Sequence, residues 1–155
     1  MGIKQRIAIG AATLSAAGLL AITGYEGYSD RGYIPIEGDV PTAGWGHTGD
    51  GVEVGQKVTP DQALAWLKGD TSEAEAAVKR CVKVPLSQGE MDAYTSLAFN
   101  IGSGAFCSST LVKKLNAGDY IGACEEIRRW VYSGGKKVQG LVNRREAEYR
   151  MCIGG

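Results

Sequence analysis

Residues 26–48 read EGYSDRGYIPIEGDVPTAGWGHT, and they gather more chemically active side chains than any other stretch of the chain. Four carboxylates, a tryptophan and the chain's only histidine, His47, lie within this run. Glycines interrupt it at short intervals, which predicts extended segments and tight turns rather than a helix. We therefore expect a small, carboxylate-bearing hairpin directly after Glu26.

Its proline and glycines predict the course of this hairpin. Residues 33–36 alternate in character and include Pro35, which favours an edge strand because proline cannot donate to a central ladder. Residues 37–39 read as a turn, and residues 42–47 return as extended chain. A polar loop is expected at residues 49–58.

Capping residues and amphipathic runs predict helices in the rest of the chain. Thr59, followed by Pro60 and Gln62, predicts a capped helix that continues to about Cys81. Further helices are predicted from Ser87 to the break at residues 100–104, from Ser109 or Thr110 to Leu115, from Tyr120 to Tyr132, and from Leu141 to Cys152. The predicted fold class is α+β and mainly helical, with a small β lobe beside a helical body.

Length and charge restrict the possible functions. A chain of 155 residues fits one compact domain, or two lobes that share a helix. Its formal net charge is zero, which argues against strong nucleic-acid binding. Residues 1–80 carry 7 basic and 10 acidic side chains, whereas residues 81–155 carry 10 and 7. This mild asymmetry suits an anionic polymer lying across the second half.

Residues 7–25 carry no charge and follow the basic residues Lys4 and Arg6. Their number approaches the ~20 residues that a helix needs to cross a bilayer. Four interpretations remain open: a cleavable signal peptide, a permanent anchor, a marginal anchor that can leave the membrane, and a plain core helix. The many Ala and Gly residues favour the marginal anchor. The first three imply export, with the basic end left in the cytoplasm.

The four cysteines also indicate export. They lack the C-x-x-C and Cys/His spacings of metal sites, and an even number in an exported chain predicts two disulfides. We favour Cys124–Cys152, since both lie on amphipathic helices near the end of the chain, together with Cys81–Cys107. Buried free thiols are the alternative.

Glu26 lies where the uncharged segment ends, so its carboxyl group is placed to lose solvent, as a general acid requires. Glu37, Asp39 and Thr42 follow about one hairpin later. A desolvated and a hydrated carboxylate on facing elements are what glycoside hydrolysis needs, and a Thr hydroxyl could hold the attacking water. Carboxylates in glycine-rich turns are, however, commonly solvated turn residues.

At these residues the chain resembles the phage-type lysozymes, or endolysins. Their pattern is E-G, a Tyr, a carboxylate, a turn Gly, then T-x-G-x-G-H-T. Matching segments here are Glu26-Gly27, Tyr33, Gly38, Thr42-Ala43-Gly44-Trp45-Gly46-His47-Thr48, Val84-Pro85-Leu86-Ser87-Gln88, Phe99-Asn100-Ile101-Gly102, Ser109-Thr110-Leu111, Lys114-Leu115-Asn116-Ala117-Gly118-Asp119, Arg129-Trp130 and Leu141-Val142-Asn143-Arg144-Arg145-Glu146. The resemblance covers Glu26 to Cys152, and residues 1–25 resemble the signal-arrest-release segment of one subgroup.

The resemblance implies two lobes around an active-site cleft and hydrolysis of the β-1,4 bond between N-acetylmuramic acid and N-acetylglucosamine in peptidoglycan. It implies no metal or cofactor. Residues 1–25 are then a membrane segment and residues 26–155 a muramidase domain. The expected partners are peptidoglycan strands, the host secretion machinery and, transiently, the inner membrane through residues 7–25. We expect a monomer that is tethered to the membrane and then becomes periplasmic.

Individual roles follow from the same resemblance. Glu26 matches the family's general acid and Thr42 its hydroxyl residue. The family's second carboxylate lies six residues before that Thr, where this chain has Ile36, or Pro35 if the turn glycines are aligned. Asp39 is the preferred substitute, and Glu37 is the runner-up (both lie in the predicted turn).

Three supporting residues are also expected. His47 is interpreted as a structural histidine paired with an acid, rather than a catalytic base. Arg144 matches an arginine that lies near the acid in relatives, although it could be a solvated helix residue. Asn100 matches an amide that hydrogen-bonds the sugar, although it could simply end a helix.

Two alternatives to a hydrolase remain. A lytic transglycosylase needs a single acid, and the displaced second carboxylate keeps this reaction possible. A non-catalytic cell-wall-binding module predicts that Glu26, Asp39 and Thr42 are dispensable.

Overall fold

The computed structural model describes residues 4–35, 37–49 and 51–154. The chain divides into two compact units. The first contains Met1–Leu19 and Glu73–Gly155, and the second contains Leu20–Ser72. Two helices, α1 (Ala16–Glu26) and α2 (Pro60–Cys81), run through the points of division.

Five further helices belong to the first unit. They are α3 (Gln88–Ile101), α4 (Ser103–Cys107), α5 (Thr110–Asn116), α6 (Tyr120–Glu126) and α7 (Gln139–Gly154). The central helix is α3, where residues 90–98 are all buried and which packs along α7. The predicted capping box at its start is confirmed, because Ser87 Oγ accepts from Glu90 N while Glu90 Oε1 accepts from Ser87 N.

Both predicted disulfides are confirmed, and both lie in the first unit. Cys81 is bonded to Cys107 and Cys124 to Cys152, with Cα–Cα distances of 5.4 and 5.8 Å. The two loops close 26 and 28 residues. Loop-closure entropy gives each disulfide a stabilisation of ~3.5 kcal/mol against the unfolded chain.

The predicted helix over residues 120–132 is too long. Helix α6 ends at Glu126, a single 3₁₀ turn (Ile127–Arg129) follows, and the chain then forms a hairpin of β4 (Tyr132–Ser133) and β5 (Lys136–Lys137). Two glycines between these strands, at φ 57° and 79°, supply the positive φ angles that such a two-residue turn requires. The segment that ends the predicted helix is therefore a hairpin with a two-residue turn.

The second unit contains a three-stranded antiparallel sheet in the order β1 (Ser29–Tyr33), β2 (Thr42–Gly44) and β3 (His47–Thr48). The first strand lies earlier than the prediction of residues 33–36, because residues 55–58 bond to its backbone: Val58 N donates to Asp30 O at 2.7 Å, and Gly32 N to Gln56 O at 2.9 Å. Pro35 follows the strand, and Ile36 lies outside the described residues.

The uncharged segment, residues 7–25, does not form one continuous helix. Ile7 pairs with Leu86 in an isolated antiparallel bridge, Ile9–Ala11 form a 3₁₀ turn, and α1 begins at Ala16. In the described part of the chain, every helix is too short or too polar to span a bilayer. Ser15 caps α1 through its Oγ, which accepts from Gly18 N at 3.0 Å.

Candidate active site

Glu26 is the last residue of α1 and is half-buried. Its carboxylate lies against the turn between β2 and β3. A Cβ at Gly46 would lie 2.9 Å from Glu26 Oε2, and Gly46 has a φ of 80°. Only glycine fits this position without strain, because it alone combines a positive φ with the absence of a side chain. The turn therefore packs directly on the proposed acid.

Thr42 is the first residue of β2 and is buried. It lies opposite Tyr33 of β1 and Thr48 of β3. Its hydroxyl donates to Val40 O at 3.3 Å. This bond fixes the Thr42 oxygen on the strand that leads into the turn packed against Glu26.

The two candidates for the second carboxylate both lie on the exposed turn before β2. Asp39 Oδ1 accepts from Val40 N at 2.9 Å, so part of its carboxylate stabilises its own turn. Glu37 is exposed two residues earlier. Asp39 thus has a defined orientation and remains open to water.

His47 has the acidic partner expected of a structural histidine. Its Nδ1 lies 2.8 Å from Asp70 Oδ2 of α2, and its ring stacks on Trp66 with centroids 4.5 Å apart. A second aromatic pair, Tyr28 and Trp45, lies nearby in sequence with centroids at 4.8 Å. The two His47 contacts join β3 to α2 within the second unit.

Asn100 lies near the end of α3 in the first unit. Arg145 Nη2 donates to its Oδ1. Because a guanidinium has donors and no acceptor, this bond leaves the Asn100 amide nitrogen as a donor for other groups. Asn100 also lines a surface pocket together with Ile101, Trp130, Tyr132, Ser133 and Leu141. An amide donor at a pocket lined in part by Trp130 and Tyr132 can bind a sugar hydroxyl or an acetamido carbonyl.

Arg144 is buried on α7, and it contacts Glu148 and Ser96 of the first unit. Its Nε lies 3.1 Å from Glu148 Oε1, and its Nη2 donates to Ser96 O at 3.3 Å. Arg145 reaches the same Glu148 oxygen at 3.3 Å. Burial raises the pKa of Glu148, and the charges of Arg145 and Arg144 oppose this rise. Arg144 is therefore part of a buried ionic cluster, and the solvated-helix interpretation is wrong.

The structure gives contacts at the site to four residues to which the sequence analysis assigned no role. Asp70 and Trp66 hold His47, Gly46 packs on Glu26, and Arg145 orients Asn100. The partners of Asp70, Trp66 and Arg145 are distant in sequence (45 residues separate Arg145 from Asn100), so no local motif marks these three contacts. The T-x-G-x-G-H-T motif was the one available signal for Gly46.

Comparison with known proteins assigns the family. The model of the phage lysozyme family matches residues 23–148. The SAR-endolysin of Enterobacteria phage P21 is 36% identical over 152 residues, covering 96% of this chain and 92% of that protein.

Solved structures give the same assignment. The endolysin from Escherichia coli O157:H7 phage FAHEc1 has a TM-score of 0.81 and 38% identity over 93% of this chain and 95% of that one. The active form of P1 phage endolysin Lyz also has a TM-score of 0.81, with 28% identity over 94% and 88% of the two chains. This chain therefore belongs to the phage lysozyme family, and it is a glycoside hydrolase of the muramidase class.

Proposed function

We propose that this muramidase cleaves the β-1,4 bond of peptidoglycan with Glu26 as its general acid. The observation that carries the proposal is the position of Glu26 at the end of α1, half-buried against the β2–β3 turn, while Thr42 begins β2. Glu26 protonates the glycosidic oxygen as the bond to the anomeric carbon breaks. Positive charge then develops on the sugar ring, and water attacks it.

Asp39 and Thr42 are assigned to the water side of this reaction. The exposed Asp39 carboxylate can stabilise the sugar cation or accept a proton from water. The buried Thr42 hydroxyl is suited to orient that water. Asn100, with its amide nitrogen directed away from Arg145, is assigned to substrate binding.

Glu26→Gln is the decisive variant. Removing a general acid should lower the rate of peptidoglycan hydrolysis by ~10²–10⁴-fold, because glutamine cannot donate the proton. Turbidity clearing of purified cell walls measures the rate, and circular dichroism checks folding. Glu53→Gln, an exposed carboxylate of the same unit, is the matched control and should keep its activity. Near-normal clearing by a folded Glu26→Gln protein would sink the assignment.

The second carboxylate is tested by comparing Asp39→Asn with Glu37→Gln. We expect the Asp39 variant to lose at least ~10-fold in rate, since a loss of charge stabilisation acts directly on the sugar cation. The Glu37 variant should stay near the wild-type rate. The reverse result assigns the role to Glu37.

A transglycosylase is the second candidate, favoured by Ile36 at the position where the family carries its carboxylate. Such an enzyme would close an anhydro-sugar without water. Mass spectrometry of the released fragments separates the two reactions, because the hydrolysed product is heavier by one water. We expect the hydrolysed product.

We further infer export with a membrane-tethered stage. Residues 7–25 are uncharged, and the P21 relative is named a SAR-endolysin. A helix over residues 7–25 would extend ~28 Å, near the ~30 Å of a bilayer core. In this structure residues 7–15 lie outside any α-helix and belong to the first unit, an arrangement that suits the released form.

Gly10 and Gly24 are the positions at which to test the tether. Both have open space where a Cβ would be, so Gly10→Leu with Gly24→Leu should leave this fold undisturbed while raising the hydrophobicity of the segment. We expect the variant to stay in the membrane fraction and to delay lysis. The Ser pair at the same positions is the control. Undiminished lysis by the Leu pair would refute the tether.

A further inference from the structure

Residues 4–18 contact the remainder of the first unit, residues 73–154, chiefly through polar groups. Arg6 Nε lies 2.7 and 3.2 Å from the two carboxylate oxygens of Glu90, a residue with no exposed surface. Lys4 Nζ lies 3.9 Å from the same carboxylate. The Arg6 guanidinium also lies 3.6 Å above the centre of the Tyr120 ring. The buried Glu90 carboxylate therefore lies near both basic side chains of residues 4–18, Lys4 and Arg6.

Two more carboxylates bind the backbone where α1 begins. Glu75 Oε2 accepts from Leu14 N at 3.0 Å, and Asp92 Oδ1 accepts from Ser15 N at 2.9 Å. Gln88 links the N-terminal segment to Asp92, since its Nε2 donates to Thr13 O at 2.7 Å and to Asp92 Oδ1 at 3.0 Å.

The fit at Asp92 is close. A Cβ at Gly18 would lie 2.7 Å from Asp92 Cγ, so a larger residue would displace one of the two. The first turn of α1 is thus held by a carboxylate that matches its unpaired N–H groups and positive end.

Apolar burial contributes less along this segment. Ala12 is fully buried in the core, but Ile7 keeps 39% of its surface exposed, and Ile9 is only partly buried. A segment that needed a dry groove would bury its isoleucines. Instead, charge and hydrogen bonding hold it, and such contacts can be exchanged for contacts with water when the segment leaves.

We propose that Glu75, Glu90 and Asp92 form a reversible docking surface for residues 4–18, with Glu90 as the receptor of Lys4 and Arg6. The contacts are present in the structure, while the reversibility rests on the proposed tether. On this view the two cations that keep the N-terminus at the cytoplasmic face before release become the latch of the folded enzyme afterwards. The ion pair between Arg6 and Glu90 then stabilises the docked state of the segment.

Trypsin provides a direct reporter, because it cuts after Arg6, and the next residue is held in the bridge to Leu86. Glu90→Gln in the full-length protein removes the anion, while glutamine still completes a capping box with Ser87. We expect Glu90→Gln to release peptide 1–6 at least ~10-fold faster, as loss of a buried ion pair predicts. Mass spectrometry follows the cut, and cleavage after the exposed Lys137 is the internal reference.

Glu73→Gln is the matched control, since Glu73 is an exposed α2 carboxylate that lies 4.0 Å from Arg80. It should be cut at the wild-type rate. If Glu90→Gln does not fold, Asp92→Asn takes its place, because it loosens the start of α1 without touching Glu90. A folded variant of either kind that is cut no faster than wild type overturns the docking surface.

The two proposals fail separately. If the Gly10 and Gly24 leucine variant is not retained in membranes, the tether is wrong, yet faster cutting of Glu90→Gln still supports the latch. If Glu90→Gln is cut at the wild-type rate, the latch is wrong whatever the leucine variant does.

Discussion

The two units are stabilised by different means. Among the described residues, the first unit buries a cluster of 18 residues and carries two disulfides, whereas the second buries a cluster of four small or medium residues, Ala43, Val52, Val58 and Ala63. The second unit compensates with polar and aromatic links such as His47 to Asp70 and Trp66. The proposed acid, hydroxyl and second carboxylate all lie in the second, thinly packed unit.

This difference predicts a division of mutational effects. Substitutions in the first unit should mainly change the free energy of unfolding, because they remove buried ion pairs or covalent links. Substitutions beside Glu26 should mainly change the rate of hydrolysis. The following predictions test that division in order of decreasing effect.

Glu148→Gln should destabilise the protein by ~3–5 kcal/mol, because two buried guanidinium groups lose their shared anion. Denaturant unfolding measures the change. Glu146→Gln is the matched control on the same helix, since Glu146 is part-exposed and pairs with Arg128 at 2.8 Å. The control should lose less than ~1 kcal/mol. Equal losses in both variants would contradict a special role for the buried cluster.

Replacing Cys124 and Cys152 together by Ala should cost ~3.5 kcal/mol, from the loop-closure entropy of the unfolded chain. The unfolding midpoint of the variant measures the cost, and reductant should shift the wild-type midpoint further because it opens both disulfides. A wild-type midpoint that is insensitive to reductant would contradict the contribution of the disulfides.

Gly46→Ala should lower the rate of hydrolysis by ~10-fold, because the new methyl group displaces the Glu26 carboxylate and a 1 Å error at a catalytic group can cost more than this. Gly55→Ala is the matched control, with a φ of 82° and open space at its Cβ. Both variants have the same backbone strain, so a comparable rate loss in the control would exclude the contact with Glu26 as the cause.

Glu126 should give a small, pH-dependent effect. A hydrogen bond from Lys114, with a second from Arg129, holds the pKa of Glu126 below its ordinary value of 4.5. This stabilisation is present above pH 4.5 and is lost as the pH falls through the lowered pKa. At neutral pH the free energy of unfolding of Glu126→Gln should therefore be lower than that of wild type by less than ~1 kcal/mol. In acid the melting temperatures of the two proteins should converge. A difference in melting temperature that stays constant with pH would refute this.

The sequence predicted best what adjacent residues determine. The starts of α2, α3 and α5 follow from Thr59, Ser87 and Ser109, each of which caps a backbone N–H three residues on. Both disulfide pairs were also predicted. The T-x-G-x-G-H-T motif indicated the positions of β2 and β3, whose connecting turn packs against Glu26.

Features fixed by distant partners were not predictable in the same way. The first strand lies at residues 29–33 because residues 55–58 bond to its backbone. The sequence around residue 33 carries no signal of these distant hydrogen bonds. The hairpin of β4 and β5 is not predictable from its two glycines, because glycines are equally common at the end of a helix. The roles of Asp70, Asp92 and Arg145 depend on residues 23 to 77 positions away.

The location of both disulfides has a consequence for timing. Thiols stay reduced in the cytosol and oxidise outside it, so under the proposed export a newly made chain lacks both cross-links until it leaves the cytosol. By the same loop-entropy relation, the first unit then gains ~7 kcal/mol on oxidation. On the proposed export route, the enzyme therefore becomes resistant to unfolding only after it reaches the compartment that contains peptidoglycan, and it is easier to unfold and degrade while it is still in the cytosol.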